Sequence, residues 1–542
     1  MFGSIRFFAL GILAGVMVAS LARAYDPPEI IGELRGEPPD SQNFGRQFCW
    51  VGDQNGDGYD DILVNHDPSH LEGHVNAVKL YFGGEQIDNE PDMVFRPRGT
   101  EYFGERIEYL GDLTGNNTKW FFISSVVYEN NRCISSKKYF YRGGEDLDTI
   151  PDVIITPPPG CGYLLGSSPN KRPSDFNGDG YMDLIACYHA GNQVYFIQVF
   201  YGSDEFDTIP DFSFRLRGIS SFGGSLFLSG YDVNGDGYDD FLLVYRDQDD
   251  QILLNLYLGG DPMDTTAYWQ MEDFHDGERV LDPFTVVMLP DVNDDGYDDW
   301  GMYWQQSFQG WEIDGYYVYF GGEEPDAEPD LDLEGNHNIF GTDGLLSGGD
   351  FNGDGIGDIV TTNRCGYMYN GELHLYFGSQ FIDESASIVI NTLGEYGIGA
   401  LGASLGSVGD FNDDGSDDFV INLAPAGRAS GVILLLAGNA EWEVFVPNCE
   451  EKLPETLNFD IYPNPFNDSV KLRLFTARRG SYRIQMLSIR GSVVWETVIN
   501  GDTEQVSVSA EKTPAGVYIF RCRSISSANK CQIQYRKAVL VR

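Results

Sequence analysis

VGDQNGDGYDD (residues 51–61) is the stretch on which the reading turns, because the chain repeats it. PSDFNGDGYMD places the same first Asp at 175, GYDVNGDGYDD at 232, LPDVNDDGYDD at 291, GGDFNGDGIGD at 350 and VGDFNDDGSDD at 410. A worn copy, LGDLTGNNTKW, places Asp112 between the first two. Successive starts are 59, 63, 57, 59, 59 and 60 residues apart, so one unit occurs seven times.

Each unit has the same order. A Phe-Gly or Leu-Gly pair opens it (Phe44-Gly45, Phe103-Gly104, Phe222-Gly223, Phe340-Gly341, Leu401-Gly402), and a short apolar strand leads into the acidic loop. An apolar run such as DDILVNHD or DDFLLVYRD follows, then a variable loop, then a run ending in Gly such as VKLYFGG or LLNLYLGG. Several units add Pro-Asp and a last strand: PDMVF, PDVII, PDFSF, PDLDL. Four short strands per unit, seven times over, predict an all-β seven-bladed β-propeller. PPEIIGELRG near residue 30 suits an extra strand that closes the ring on the last blade, and VFVP near residue 445 competes for that place.

Within the loops, alternate side chains of a curved segment converge on one point. The first loop offers Asp53, Asn55, Asp57, the Tyr59 carbonyl and Asp61 at positions 1, 3, 5, 7 and 9, with Gly58 for the sharp turn. The others offer Asp175, Asn177, Asp179, Tyr181 and Asp183; Asp232, Asn234, Asp236, Tyr238 and Asp240; and Asp291, Asn293, Asp295, Tyr297 and Asp299. The last two offer Asp350, Asn352, Asp354, Ile356 and Asp358, then Asp410, Asn412, Asp414, Ser416 and Asp418. Hard oxygen donors in this number predict calcium, up to six ions, because carboxylates so close repel one another unless a cation lies between them. The second loop keeps Asp112, Thr114 and Asn116 but has Trp120 at position 9, and no calcium is predicted there. An EF-hand needs Glu at position 12, where these loops carry Val64, Ala186, Leu243, Met302, Thr361 and Ile421.

The unit resembles the FG-GAP repeat of integrin α-subunit propellers over roughly residues 28–449, and APAGRASGVILLLAG is similar to the second half of that motif. The resemblance implies acidic loops on one face and variable loops on the other, among them residues 66–74, 127–136, 304–315, 362–372 and 423–431. Variable loops on a rigid frame are where binding resides. Trp304, Phe308 and Trp311 in one of them suit a sugar or a protein partner, or burial against the next blade.

Residues 1–24 read as a signal peptide: basic Arg6, an apolar run from Phe7 to Ala19, and Ala22 and Ala24 at the cleavage site. The propeller is expected over residues 25–449, a linker over 450–457 and a small Ig-like antiparallel β-sandwich over 458–542. Charge divides the chain at the same place. The whole carries −48, residues 455–542 hold 13 Lys and Arg against 7 Asp and Glu, and the remainder is therefore at −54. Such a surface repels nucleic acid and anionic lipid. Tyr462-Pro463-Asn464-Pro465-Phe466-Asn467, Gly491, Pro514-Ala515-Gly516-Val517-Tyr518 and Lys537 resemble the C-terminal sorting domain of the type IX secretion system. That resemblance implies a Gram-negative type bacterium, passage through the periplasm, contact with the type IX machinery, and release or display at the outer surface.

Catalytic motifs are scarce. Gly402-Ala403-Ser404-Leu405-Gly406 fits G-x-S-x-G, but an acidic loop follows where a nucleophile elbow needs a helix. His66, His70 and His74 are spaced like metal ligands, with Pro68 and Gly73 interrupting any helix. Of eight Cys, Cys522 and Cys531 are near enough for a local bridge. The expectation is a calcium-binding, non-enzymatic binding or adhesion module for an extracellular glycan or protein. The alternative is a lyase-like polysaccharide-degrading enzyme on the same frame.

Overall fold

The computed structural model describes residues 28–36, 44–66, 76–84, 87–97, 101–129, 132–157, 164–165, 172–190, 194–217, 219–249, 251–272, 274–276, 279–308, 311–334, 346–363, 372–380, 382, 386–390, 401–423 and 431–442, and in the tail 457–462, 469–476, 481–488, 493–500, 505–509, 516–524 and 533–540. The signal peptide, VFVP, His70, His74 and Cys531 lie outside them. Among the described residues there is no helix.

Seven antiparallel sheets follow one another along the chain, and in the first six the strands stand in sequence order. Sheet 1 comprises Phe44–Trp50, Ile62–His66, Ala77–Tyr81 and Met93–Phe95. Sheets 2 to 6 start at Tyr102, Leu164, Ile219, His275 and Leu346, and sheet 5 has a fifth strand, His275–Asp276, at its start. Sheet 7 takes Leu401–Gly409, Asp418–Leu423 and Val432–Leu436, and its fourth strand is Ile30–Arg35 from the other end of the chain. Ile30–Arg35 pairs antiparallel with Val432–Leu436, so the first of the two expected closing segments fills that place.

The strand after each acidic loop is largely apolar because both of its faces are covered. Asp418–Leu423 is buried at every residue. Seven cores each join two consecutive sheets: Leu63 and Leu80 of sheet 1 pack with Phe121 and Tyr139 of sheet 2, and so on in order. The seventh joins the ends, packing Phe44, Ile62 and Val64 with Leu34, Val420 and Ile433.

Backbone hydrogen bonds repeat the order. The residue after the first Asp of each loop is buried, and its carbonyl accepts an N–H from the following sheet: Gly144 to Gln54 (2.7 Å), Ser203 to Leu113 (2.9 Å), Gly260 to Phe176 (2.8 Å), Gly322 to Val233 (2.8 Å), Ser379 to Val292 (3.0 Å) and Asn439 to Phe351 (2.9 Å). The set ends with Gly84 of sheet 1 donating to Phe411 of sheet 7 (3.2 Å). The Phe-Gly openings are held across sheets too. Asn65 Nδ2 donates to the Gly104 carbonyl (3.2 Å), and Asn422 Nδ2 to that of Gly45 (2.5 Å).

The tail forms a three-stranded sheet and a four-stranded sheet, both antiparallel. They share a separate core of Val470, Leu472, Ile484, Met486, Val508, Tyr518 and Phe520.

Candidate metal loops and their surroundings

Every acidic loop joins the first two strands of its sheet, except in sheet 5, where the extra strand His275–Asp276 makes them the second and third. In the first, Asp53 Oδ1 accepts the N–H of Gly56 (2.6 Å) and Asp57 (3.2 Å), and its Oδ2 accepts that of Gly58 (3.0 Å). Asn55 Oδ1 accepts the N–H of Asp57 (2.8 Å), and Asp57 Oδ1 that of Tyr59 (3.0 Å). The same pattern recurs around Asp175, Asp232, Asp350 and Asp410. The first, third and fifth side chains thus crowd one turn, as their spacing predicts. Asp112 of the worn loop also accepts two N–H bonds, from Thr114 and Asn117, while Trp120 is buried in the core.

The ninth carboxylate has a task that spacing alone does not reveal. In all six loops it is buried and bonded through both oxygens to backbone N–H groups. One oxygen takes the residue after the first Asp, as with Val233 on Asp240 Oδ2 (3.0 Å). The other takes the Gly at the end of the second strand after the loop, as with Gly259 on Asp240 Oδ1 (2.8 Å). Asp61, Asp183, Asp299, Asp358 and Asp418 do the same. It is therefore first a tie between loop and sheet. Burial pushes Asp61, Asp183 and Asp240 up to about 8 against those N–H bonds, with neighbouring loop carboxylates adding to the shift.

The residues suit calcium in donor type. Carboxylate, amide and carbonyl oxygens are hard ligands, and each oxygen that accepts one N–H keeps a second lone pair. Among the described residues, no three His, Cys, Asp or Glu side chains stand close enough together to hold an ion by themselves. An ion there would need the amide oxygen at position 3 and the carbonyl at position 7 as well. One amide oxygen is open to it: Asn293 Oδ1 is buried and has no partner.

Two further positions tie neighbouring loops together. The eighth residue reaches the preceding loop: Asp239, Asp298 and Asp417 accept the N–H of Asp175 (2.7 Å), Asp232 (3.0 Å) and Asp350 (2.9 Å). The recurring Asp-Asp pair was the available signal, although Met182 and Gly357 interrupt it. At the fourth position, Gly115, Gly178 and Gly235 have positive φ, and a Cβ on them would meet the ring of Tyr181, Tyr238 or Tyr297 from the next loop at 2.4–2.8 Å.

Other candidates fare differently. Trp304 is fully buried and covered by the Arg279 guanidinium at 3.8 Å, so it is not a platform for a ligand. Arg279 also donates to Tyr317 Oη (2.6 Å) and Asp332 Oδ2 (2.7 Å), which occupies it within sheet 5. Phe308 and Trp311 stand opposite each other in the strand register. Ser404 lies within the strand Leu401–Gly409, with no elbow, since the segment after it is the acidic loop. His66 meets the edge of Phe44 at 5.9 Å. Cys49 and Cys187 are buried. Of the expected variable loops, 66–74, 362–372 and 423–431 fall largely outside the described residues, whereas 127–129 with 132–136 and 304–308 with 311–315 belong to strands.

Residues 460–534 match the family described as the secretion system C-terminal sorting domain. This tail marks the chain for secretion or display at the cell surface through the type IX machinery. No helix of the described residues is long and apolar enough to cross a membrane. No curated protein matches the chain. Among solved structures, a fungal alcohol oxidase in complex with copper aligns at 11% identity, covering 95% of this chain and 100% of its own, with a TM-score of 0.39. A mannose phosphorylase from Leishmania mexicana aligns at 10% identity, covering 66% and 86%, with a TM-score of 0.23. The extracellular domain of a putative one-component system from B. thetaiotaomicron aligns at 9% identity, covering 95% and 57%, with a TM-score of 0.23. Scores this low assign neither fold nor activity.

Proposed function

We propose that residues 25–449 form a calcium-stiffened, seven-bladed propeller of FG-GAP type that serves as a non-enzymatic binding or adhesion module at the cell surface. The observation that carries the architecture is the run of seven equivalent backbone hydrogen bonds, the last from Gly84 of sheet 1 to Phe411 of sheet 7. The matching cores and the fourth strand of sheet 7, taken from the other end of the chain, support it.

Calcium, when bound, supplies positive charge at the centre of each loop. Residues at positions 1, 3, 5 and 7 of six loops would hold it, with position 9 adding charge from beneath. The ion would then brace the link between the first two strands and, through the interlocked Tyr and Gly positions, the neighbouring blade. A rigid frame of this kind leaves the variable loops free to diversify, and the partner class is an extracellular glycan or protein. The Asp residues on this face are tied to backbone N–H groups, which leaves them poorly placed as general acids or bases.

The test is thermal unfolding of the mature chain in millimolar calcium and in excess EGTA. A large fall in Tm on chelation is expected; an unchanged Tm overturns the calcium frame. Incubation with candidate polysaccharides separates module from enzyme. Retention without shortening is expected, and turnover of any of them overturns the non-enzymatic reading.

A further inference from the structure

The six loops are alike in sequence but not in surroundings, and sheet 5 stands apart. In sheets 1, 3, 4, 6 and 7 the third-position amide oxygen accepts the N–H of the fifth residue at 2.8–3.1 Å. In sheet 5 the corresponding oxygen, Asn293 Oδ1, has no partner, although Asn293 is only 7% exposed. Its Nδ2 donates to Asp295 Oδ2 at 3.0 Å, so the amide faces into the loop. The fifth-position carboxylate is enclosed as well: Asp295 is half-buried, whereas Asp57, Asp179, Asp236, Asp354 and Asp414 are exposed. The next sheet also reaches this loop, where Gln380 Nε2 donates to Asp294 Oδ2 at 2.9 Å.

We propose that the loop of sheet 5, centred on Asp291, Asn293 and Asp295, is the tightest calcium site of the chain and the last to empty as calcium falls; this rests on the calcium reading above. Two effects act in the same direction. A buried carbonyl oxygen without a partner is costly, and an ion at this loop satisfies it; in the other five the ion must share an oxygen that already accepts an N–H. Enclosure also keeps water from screening the attraction between the cation and Asp295.

Calcium binding is counted on the full mature chain in chelator-buffered solutions, for the wild type, Asn293→Ala, Asn293→Asp and Asn412→Ala. One equivalent is expected to bind roughly tenfold or more tightly than the rest, since one satisfied buried polar group is worth about that factor. Asn293→Ala removes this step, Asn293→Asp retains it, and Asn412→Ala leaves it in place. Melting in EGTA, in which every variant is expected to keep one cooperative unfolding transition, separates lost binding from lost folding. Steps of equal affinity, a tight step surviving in Asn293→Ala, or its loss in Asn412→Ala overturns the assignment to sheet 5. A wild-type chain that takes up no calcium at millimolar concentration overturns the calcium reading itself.

Discussion

At the scale of single residues, the loops contain two kinds of glycine that the sequence writes identically. Gly235 and Gly237 both sit at positive φ, +70° and +88°, but a Cβ on Gly237 meets nothing within 4 Å, while one on Gly235 lies 2.6 Å from the Tyr297 ring. Gly237→Ala therefore carries only the left-handed backbone cost of roughly 1–2 kcal/mol. Gly235→Ala adds the cost of displacing a packed ring, another ~1–3 kcal/mol. Urea unfolding of the two variants should rank them in that order, and Tyr297→Ala should remove the excess from Gly235→Ala. Equal losses would mean that the Tyr ring moves aside freely and does not lock adjacent loops. The convergence of positions 1, 3 and 5 on one turn was legible because it depends on spacing within one segment. The locking role of position 4 was not, because it depends on a residue about sixty positions away that only the packed neighbour brings close.

At the scale of the hairpin, the ninth and fifth carboxylates separate cleanly. Asp240 holds Val233 and Gly259 by two buried N–H bonds whatever occupies the loop. Asn in its place turns an N–H₂ toward one of those donors and leaves it unsatisfied, a loss of ~1–3 kcal/mol. That loss is expected both in calcium and in EGTA. Asp236 is exposed and its contacts lie within the turn, so Asp236→Ala should lower stability in calcium and change little in EGTA. Denaturant midpoints of both variants in both conditions give four values. A calcium-independent effect at Asp236 would assign that side chain to the turn alone. Strand order within each sheet was readable from the repeat, since each run ends in its own turn signal. The fifth strand of sheet 5 was not, because His275–Asp276 is too short to show a period. The choice between PPEIIGELRG and VFVP for the last sheet needed register, which places Leu34 opposite Ile433 and fully buries it.

At the scale of the whole chain, charge and packing divide the molecule at the same place. Residues 455–542 carry +6 and the remainder −54, and the tail's core draws only on tail residues. A segment that buries its own apolar face depends little on its neighbour for stability, so the two parts are expected to act separately. The sorting match at 460–534 gives the tail its role in export, whereas the loop ties and cores of the first 442 residues concern the frame. A partner for the frame was not legible, because the variable loops share no pattern from one repeat to the next against which an unusual residue would stand out. Export, by contrast, can be tested by dividing the chain. A version ending at residue 449 should keep the full calcium-dependent shift in Tm yet stay in the periplasm of a host with type IX export. Residues 458–542 fused to an unrelated signal-peptide-bearing reporter should carry that reporter to the surface, where external protease reaches it. If the shortened chain loses its calcium response, the tail contributes to the frame and the separation fails. If the reporter stays protected in the periplasm, residues outside the tail take part in export.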